Sequence, residues 1–265
     1  MPYRVYAMDT YFYNSIARYP FATRCEMLAE LGYDATYLTA WSEQSWNDVA
    51  KLKTVKQEYG LDVAAVYAVL DVAKPDPRIT ELMNSMEGCR TIELAIKSAS
   101  DDDAVVRFLD GALATCERRG ISIYLYPHIN FWLERIEDAG RICRRINHPH
   151  LGAVFCGFHW YAVDGKELAA RLNDAEPFLR QVNLCGSRRD PNGVGEKATI
   201  EPLDAGEMDN FAVLAHLQRI HFGGLIGFQG YSIGGDPYPN LKRSLATFRD
   251  MERRLEAHSS WAPAS

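Results

Sequence analysis

Long apolar runs are missing from this sequence. No stretch approaches the roughly 20 residues needed to span a bilayer. Met1 to Tyr13 shows no positively charged region followed by a longer apolar one, so neither a signal peptide nor a membrane span is expected. Basic runs are missing too. Lys and Arg number 29 against 35 Asp and Glu, a formal net charge of -6. That balance argues against nucleic acid or an anionic membrane as the partner. There is no CxxC pair. Cys25, Cys89, Cys116, Cys143, Cys156 and Cys185 are scattered through a chain large enough to fold without cross-links. They read as reduced thiols of a cytoplasmic protein. Neither GxGxxG nor GxxxxGK[ST] occurs, which weighs against an open doubly wound sheet built around a phosphate loop.

What is present is the composition of a soluble globular protein, with 47% hydrophobic and 24% charged residues. The 265 residues are expected to form one domain over 1–265, since α/β barrels of about 250 residues are routine. Four apolar runs stand out between Gly120 and Gly235. They are Ile121–His128, Leu151–His159, Phe178–Gly186 and Gly224–Tyr231. Runs rich in Ile, Val, Leu and Phe fit strands buried on both faces of a parallel sheet. Earlier in the chain, Arg4–Met8, Asp34–Leu38, Leu61–Tyr67 and Thr91–Ile96 read as four more strands.

Helical spacing fills the gaps. Phe21–Leu31 puts Met27, Leu28 and Leu31 on one face and stops at Gly32. Ser45–Tyr59 turns Val49, Leu52 and Val55 inward and ends at Gly60. A looser helix lies within Asp71–Met86. Asp101–Arg119 opens on three aspartates, which suit the positive end of the helix dipole. Helices are expected over Leu133–Ile146, around Lys166–Leu172, over Asp209–Ile220 and over Leu241–Leu255, with a longer loop at Ser187–Gly206. Eight strands alternating with eight helices give a (β/α)8 barrel. In that fold the carboxyl ends of the strands converge on one site. Here they carry Tyr126, His128, Cys156, His159, Asn183, Cys185 and Gln229.

These strand ends resemble those of the xylose-isomerase-like barrels, the sugar phosphate isomerase/epimerase superfamily that also includes endonuclease IV. The resemblance covers nearly the whole chain. It rests on Tyr126-Pro127-His128, Cys156-Gly157-Phe158-His159, Val182-Asn183-Leu184, Pro202 to Asp209, and Gly227 to Tyr231. Typical members hold a divalent metal with a Glu before the Pro-His of strand five, an Asp three residues before the His of strand six, a His on strand seven and a Glu ending strand eight. The matching positions here are Tyr126, Cys156, Asn183 and Gln229. Hard cations such as Mg2+ and Mn2+ need charged oxygen ligands, and this set contains no carboxylate. No divalent metal and no other cofactor is therefore expected. Zinc held by His128, Cys156, His159 and Cys185 is a softer alternative, against the plainer reading of ordinary buried thiols.

The resemblance implies isomerisation, epimerisation or a related elimination beside a carbonyl of a sugar or polyol. Proton transfer would fall to His128 and His159, whose rings titrate nearest neutral pH. Tyr126, Cys156, Asn183 and Gln229 would bind substrate. Lys97 at the end of strand four would polarise a carbonyl, Arg188 with Arg189 would bind an anionic group, and Trp160, Trp41 or Trp132 would stack on a sugar ring. Asp9 would contact a hydroxyl. The alternative is a carbohydrate-binding pseudoenzyme or regulatory subunit on the same barrel, because all four ligand positions have changed at once. A DNA-repair role by analogy with endonuclease IV would need a metal cluster that these residues do not supply. The partners expected are a small carbohydrate, with neither nucleic acid nor membrane; the sequence allows an oligomer.

Overall fold

A computed structural model describes residues 2–262. The first strand, β1 (Val5–Ala7), leads through a 3-10 turn at Asp9–Phe12 to α1 (Phe21–Leu31). Next come β2 (Ala35–Thr39) and a helical segment in three pieces: α2 (Glu43–Asp48), a 3-10 stretch (Val49–Thr54) and α3 (Val55–Tyr59). Then follow β3 (Asp62–Asp71), α4 (Pro77–Ser85), β4 (Thr91–Ser98), α5 (Asp102–Arg119), β5 (Ser122–Leu125) and α6 (Ile136–Ile146). The second half holds β6 (Leu151–Cys156), α7 (Gly157–Val163), α8 (Leu168–Ala175), β7 (Leu179–Leu184) and a loop strand, β8 (Arg189–Val194). It closes with α9 (Asn210–Arg219), β9 (Leu225–Phe228) and α10 (Pro237–Ala257).

All strands except β8 pair in parallel and close into a barrel in the order β1-β2-β3-β4-β5-β6-β7-β9. The seam is made by β1 on β9, with Tyr6 opposite Gly227. The expected eight-stranded α/β barrel is therefore the fold. Alternation along each strand sorts side chains into two packed layers. Val5, Leu38, Val66, Leu94, Ile123 and Val182 face outward and pack with Leu28, Leu109, Ile142 and Leu217 from the helices. Tyr6, Tyr37, Ala65, Tyr67, Ala95, Tyr126 and Val154 face inward.

Local chemistry sets several element ends, and some differ from the sequence reading. The Ser45–Tyr59 helix begins earlier and is broken. Ser42 accepts the Ser45 backbone N–H, and the Ser45 side chain reciprocates. The Leu133 start moves to Ile136, because the Asp138 carboxylate accepts the backbone N–H groups of Glu134 and Arg135. The Lys166–Leu172 helix runs over Leu168–Ala175. Strand six stops at Cys156, and Gly157-Phe158-His159 open α7 instead. Both elements are buried throughout this stretch, and a continuous apolar run does not distinguish a strand from a buried helix. Within the 187–206 loop, β8 folds back in antiparallel contact with Ala198.

The barrel interior is polar for its depth. Barrels of this kind are usually filled by Val, Ile and Leu. Here the Tyr37 hydroxyl donates to the Glu93 carboxyl group, and the Tyr6 ring stacks on Tyr37 at 5.5 Å. The Tyr6 hydroxyl donates to Asn183 Oδ1 at 2.6 Å, and Gln181 Nε2 donates to the Ala64 carbonyl at 2.9 Å. Gly227 makes room for this. A Cβ there would lie 2.3 Å from the Tyr6 ring and 2.4 Å from Asn183 Oδ1. Burial lifts the Glu93 carboxyl to about 8, against the opposing pull of the Tyr37 hydrogen bond, so it is largely neutral at pH 7.

Candidate functional site

A cavity of about 290 Å³ opens at the carboxyl ends of the strands. Its floor and walls come from β2 and β3, the segments after β1, β2, β5 and β9, α7, and the 187–206 loop through Val194 and Ile200. His128 and His159 both line it, with ring centroids 4.1 Å apart. His128 sits in a tight loop after β5. Its backbone N–H donates to the Leu133 carbonyl, and the Phe131 N–H donates to the His128 carbonyl. Asn130 takes the left-handed conformation at φ 63, which Asn tolerates better than most residues. His159 reaches the same spot from the first turn of α7.

One residue between them assigns both tautomers. His128 Nδ1 lies 2.8 Å from the Ile129 carbonyl oxygen, which can only accept, so Nδ1 carries the proton. The Ile129 backbone N–H donates to His159 Nδ1 at 3.3 Å, so on this ring Nδ1 is the acceptor. In neutral rings the free Nε2 of His128 then holds a lone pair and the free Nε2 of His159 holds a hydrogen. Neither Nε2 has a hydrogen-bond partner among the described residues. Burial lowers the His128 pKa, with the Ile129 hydrogen bond opposing it. Burial lowers that of His159 well below the ordinary imidazole value, and the His128 charge adds to the effect. Both rings are neutral at pH 7.

A second chain of bonds fixes Gln229. The Tyr126 hydroxyl donates to Cys156 Sγ at 3.3 Å, and the Cys156 thiol donates to Gln229 Oε1 at 3.2 Å. The Gln229 amide therefore keeps its N–H groups for the cavity it lines. Burial pushes the Cys156 thiol up to about 11 and the Tyr126 phenol well above its usual value. Both stay protonated and serve as links in this chain.

The sequence-derived residues separate cleanly. Tyr126, His128, His159, Gln229 and Trp41 line the cavity. Cys156 lies beneath it, and Asn183 is fully buried in the interior network with Tyr6. Cys185 is buried and does not line the cavity. Lys97 is exposed at the end of β4 and stands outside the lining. Arg188 is paired with Glu201 at 2.6 Å, and Arg189 donates to the Ala162 carbonyl while covering the Tyr161 ring. Trp160 points its ring N–H at the Lys166 carbonyl, and Trp132 lies against Arg141; neither lines the cavity. Asp9 is buried and held by Thr39 and Tyr13.

Sequence reasoning passed over Tyr67, Phe131, Phe158, Tyr231 and Thr10, all of which line the cavity. Tyr67 and Tyr231 were legible as strand ends. Nothing local marked Phe131, whose ring stacks on His128 at 4.1 Å. Glu93 was also passed over, although a lone acid inside an apolar strand is a signal in itself.

The donor set does not suit a hard divalent metal. Tyr126 and Cys156 are protonated, Gln229 is neutral, and Asn183 Oδ1 already accepts from Tyr6. Among the described residues, no group of three or more His, Cys, Asp or Glu side chains could hold a metal ion. The zinc alternative therefore lacks a ligand set. No helix among those residues is long and apolar enough to cross a membrane.

Barrel and site together define a (β/α)8 protein with a rim cavity at the strand carboxyl ends. The chain belongs to the xylose isomerase-like TIM barrel family, whose model matches residues 25–251. No curated protein matches it in sequence. Among solved structures it is similar to a 3-keto-D-glucoside 4-epimerase from E. coli in its apo form, at 17% identity and a TM-score of 0.70, covering 94% of this chain and 100% of that one. It is similar to the IOLI protein with a bound zinc atom, at 16% identity and a TM-score of 0.77, covering 94% and 97%. An L-ribulose 3-epimerase matches at 15% identity and a TM-score of 0.76, covering 99% and 100%. At these identities the likeness is one of fold.

Proposed function

We propose that this single-domain barrel acts on a sugar or polyol, moving a proton on a carbon beside a carbonyl as an isomerase or epimerase does, without the family's divalent metal. The observation that carries the reading is the opposed tautomers of His128 and His159 at one cavity wall. His128 Nε2 takes the proton from the carbon. The C–H electron pair becomes the C=C bond of an enediolate, and the carbonyl pair moves onto oxygen. The His159 Nε2–H and the Gln229 amide N–H groups hold that oxyanion. His128 then delivers the proton to the former carbonyl carbon while the hydroxyl hydrogen crosses to the oxyanion, which moves the carbonyl by one carbon; return of the proton to the original carbon gives solvent exchange alone. The epimerases among the similar folds support the reaction class. The test is deuterium uptake by a panel of ketoses and keto-sugars in heavy water with EDTA present. Uptake by wild type that His128→Gln abolishes supports the reading. Uptake that survives in both His128→Gln and His159→Gln refutes the assignment. Because the His128 pKa is lowered, exchange should persist as pH falls past the ordinary 6.5 and fail only when the ring protonates.

A second reading is a carbohydrate-binding pseudoenzyme. It is favoured by the loss of charge at Tyr126, Cys156, Asn183 and Gln229 together. Binding across the panel with no exchange supports it.

A further inference from the structure

The cavity selects against charge. Among the described residues, no Asp, Glu, Lys or Arg side chain lines it. The guanidinium candidates from sequence, Arg188 and Arg189, are engaged with Glu201, Ala162 and Tyr161. A phosphate or carboxylate entering here would lose its water and meet no cation.

The cavity's open polar groups are set among apolar and aromatic surface. Among the described residues, its polar groups without a protein partner are the two Nε2 atoms, the Gln229 amide N–H groups, the Trp41 indole N–H and the Tyr67 and Tyr231 hydroxyls; Thr10 Oγ1 already accepts the Gly230 N–H at 3.2 Å, and the Thr39 hydroxyl is given to Asp9 at 2.6 Å. Six aromatic rings face the space: Trp41, Tyr67, Tyr126, Phe131, Phe158 and Tyr231. Tyr67 and Tyr231 meet Trp41 edge-on, at 6.3 and 5.9 Å between centroids. Trp41 stays 47% exposed, one of three large apolar side chains so exposed among the described residues. Such a surface rewards a flat apolar ring.

We infer that the site takes an uncharged sugar- or polyol-like hydroxy-ketone that carries an aromatic ring, the ring lying among Trp41, Tyr67 and Tyr231 and the hydroxy-ketone reaching His128, His159 and Gln229. This deepens the proton-transfer reading and rests on it for the reacting end only. A free sugar would leave the aromatic wall wet, and a sugar phosphate would bury an unpaired dianion.

The test uses three matched hydroxy-ketones: 2-hydroxyacetophenone, dihydroxyacetone and dihydroxyacetone phosphate. Binding is measured by calorimetry and deuterium uptake at the carbinol carbon by NMR. The aryl compound should bind at least about tenfold more tightly than dihydroxyacetone, and the phosphate most weakly. Trp41→Ala should weaken the aryl compound about tenfold and leave dihydroxyacetone nearly unchanged. Tyr231→Leu, which removes another ring of the same wall, serves as the second variant if Trp41→Ala melts at a lower temperature. Equal or tighter binding of dihydroxyacetone or its phosphate overturns the inference, as does aryl binding that neither variant weakens. Aryl binding without deuterium uptake retains the ligand class and overturns only the proton-transfer reading.

Discussion

The two mouths of the barrel differ in kind. The amino-end bowl is the larger, about 660 Å³, and is ringed by Arg4, Lys56, Asp62, Arg90 and Arg180. Its charges are spent within the protein. Asp62 pairs with both Arg4 and Lys56, Arg90 donates to the Arg119 carbonyl, and Arg180 donates to the carbonyls of Pro177 and Leu179. The carboxyl-end cavity is smaller and lined by uncharged side chains, yet two imidazole nitrogens and the amide N–H groups of Gln229 there have no partner among the described residues. Volume and charge density favour the amino end, whereas open, oriented polar groups favour the carboxyl end. Chemistry needs groups whose bonding capacity has been oriented and then left open, and the proposed reading places the reaction at the carboxyl end because such groups line it.

The comparison breaks most sharply at His128. His128→Gln should lower exchange by about two to four orders of magnitude, the range for losing a general base. Gln keeps a hydrogen-bonding side chain, so calorimetric affinity should change far less. An unchanged rate would make the carboxyl end as idle as the amino end.

Glu93 probes the interior between the two mouths. Its carboxyl rises from an ordinary 4.5 to about 8 on burial, so folding binds a proton at pH values between these two. Its stabilising contribution is therefore full below about 4.5, declines as pH rises, and is lost above about 8. Glu93→Gln should remove that slope. By urea unfolding it should match wild type near pH 5 and exceed it by about 4 kcal/mol at pH 9. Parallel stability–pH curves for the two proteins would mean that Glu93 is ionised in the fold.

A smaller effect belongs to the amino-end bowl. Arg4→Ala removes an exposed pair with Asp62, which keeps Lys56. It should cost less than about 1 kcal/mol and leave exchange unchanged. A large loss of exchange would assign the bowl a role in the reaction. The smallest effect is that of EDTA. It should shift neither melting temperature nor exchange rate, and metal analysis should find well under one Mg2+ or Mn2+ per chain.

Periodicity made the barrel legible, because a strand buried on both faces and a helix buried on one leave different local signatures. The substitutions at Tyr126, Cys156, Asn183 and Gln229 were also legible, and with them the absence of carboxylate at those positions. The sequence determined this much by itself, because residue type and spacing are local properties. The tertiary structure decided the rest. Asn183 turns into the interior because Tyr6, from the far end of the chain, reaches it across the space over Gly227. Trp41 joins the cavity while Trp132 and Trp160 pack elsewhere, although all three follow strands. The two histidines differ in protonated nitrogen because the single residue Ile129 presents its carbonyl to one ring and its N–H to the other. Such outcomes depend on which groups meet through space, and spacing along the chain does not carry that information.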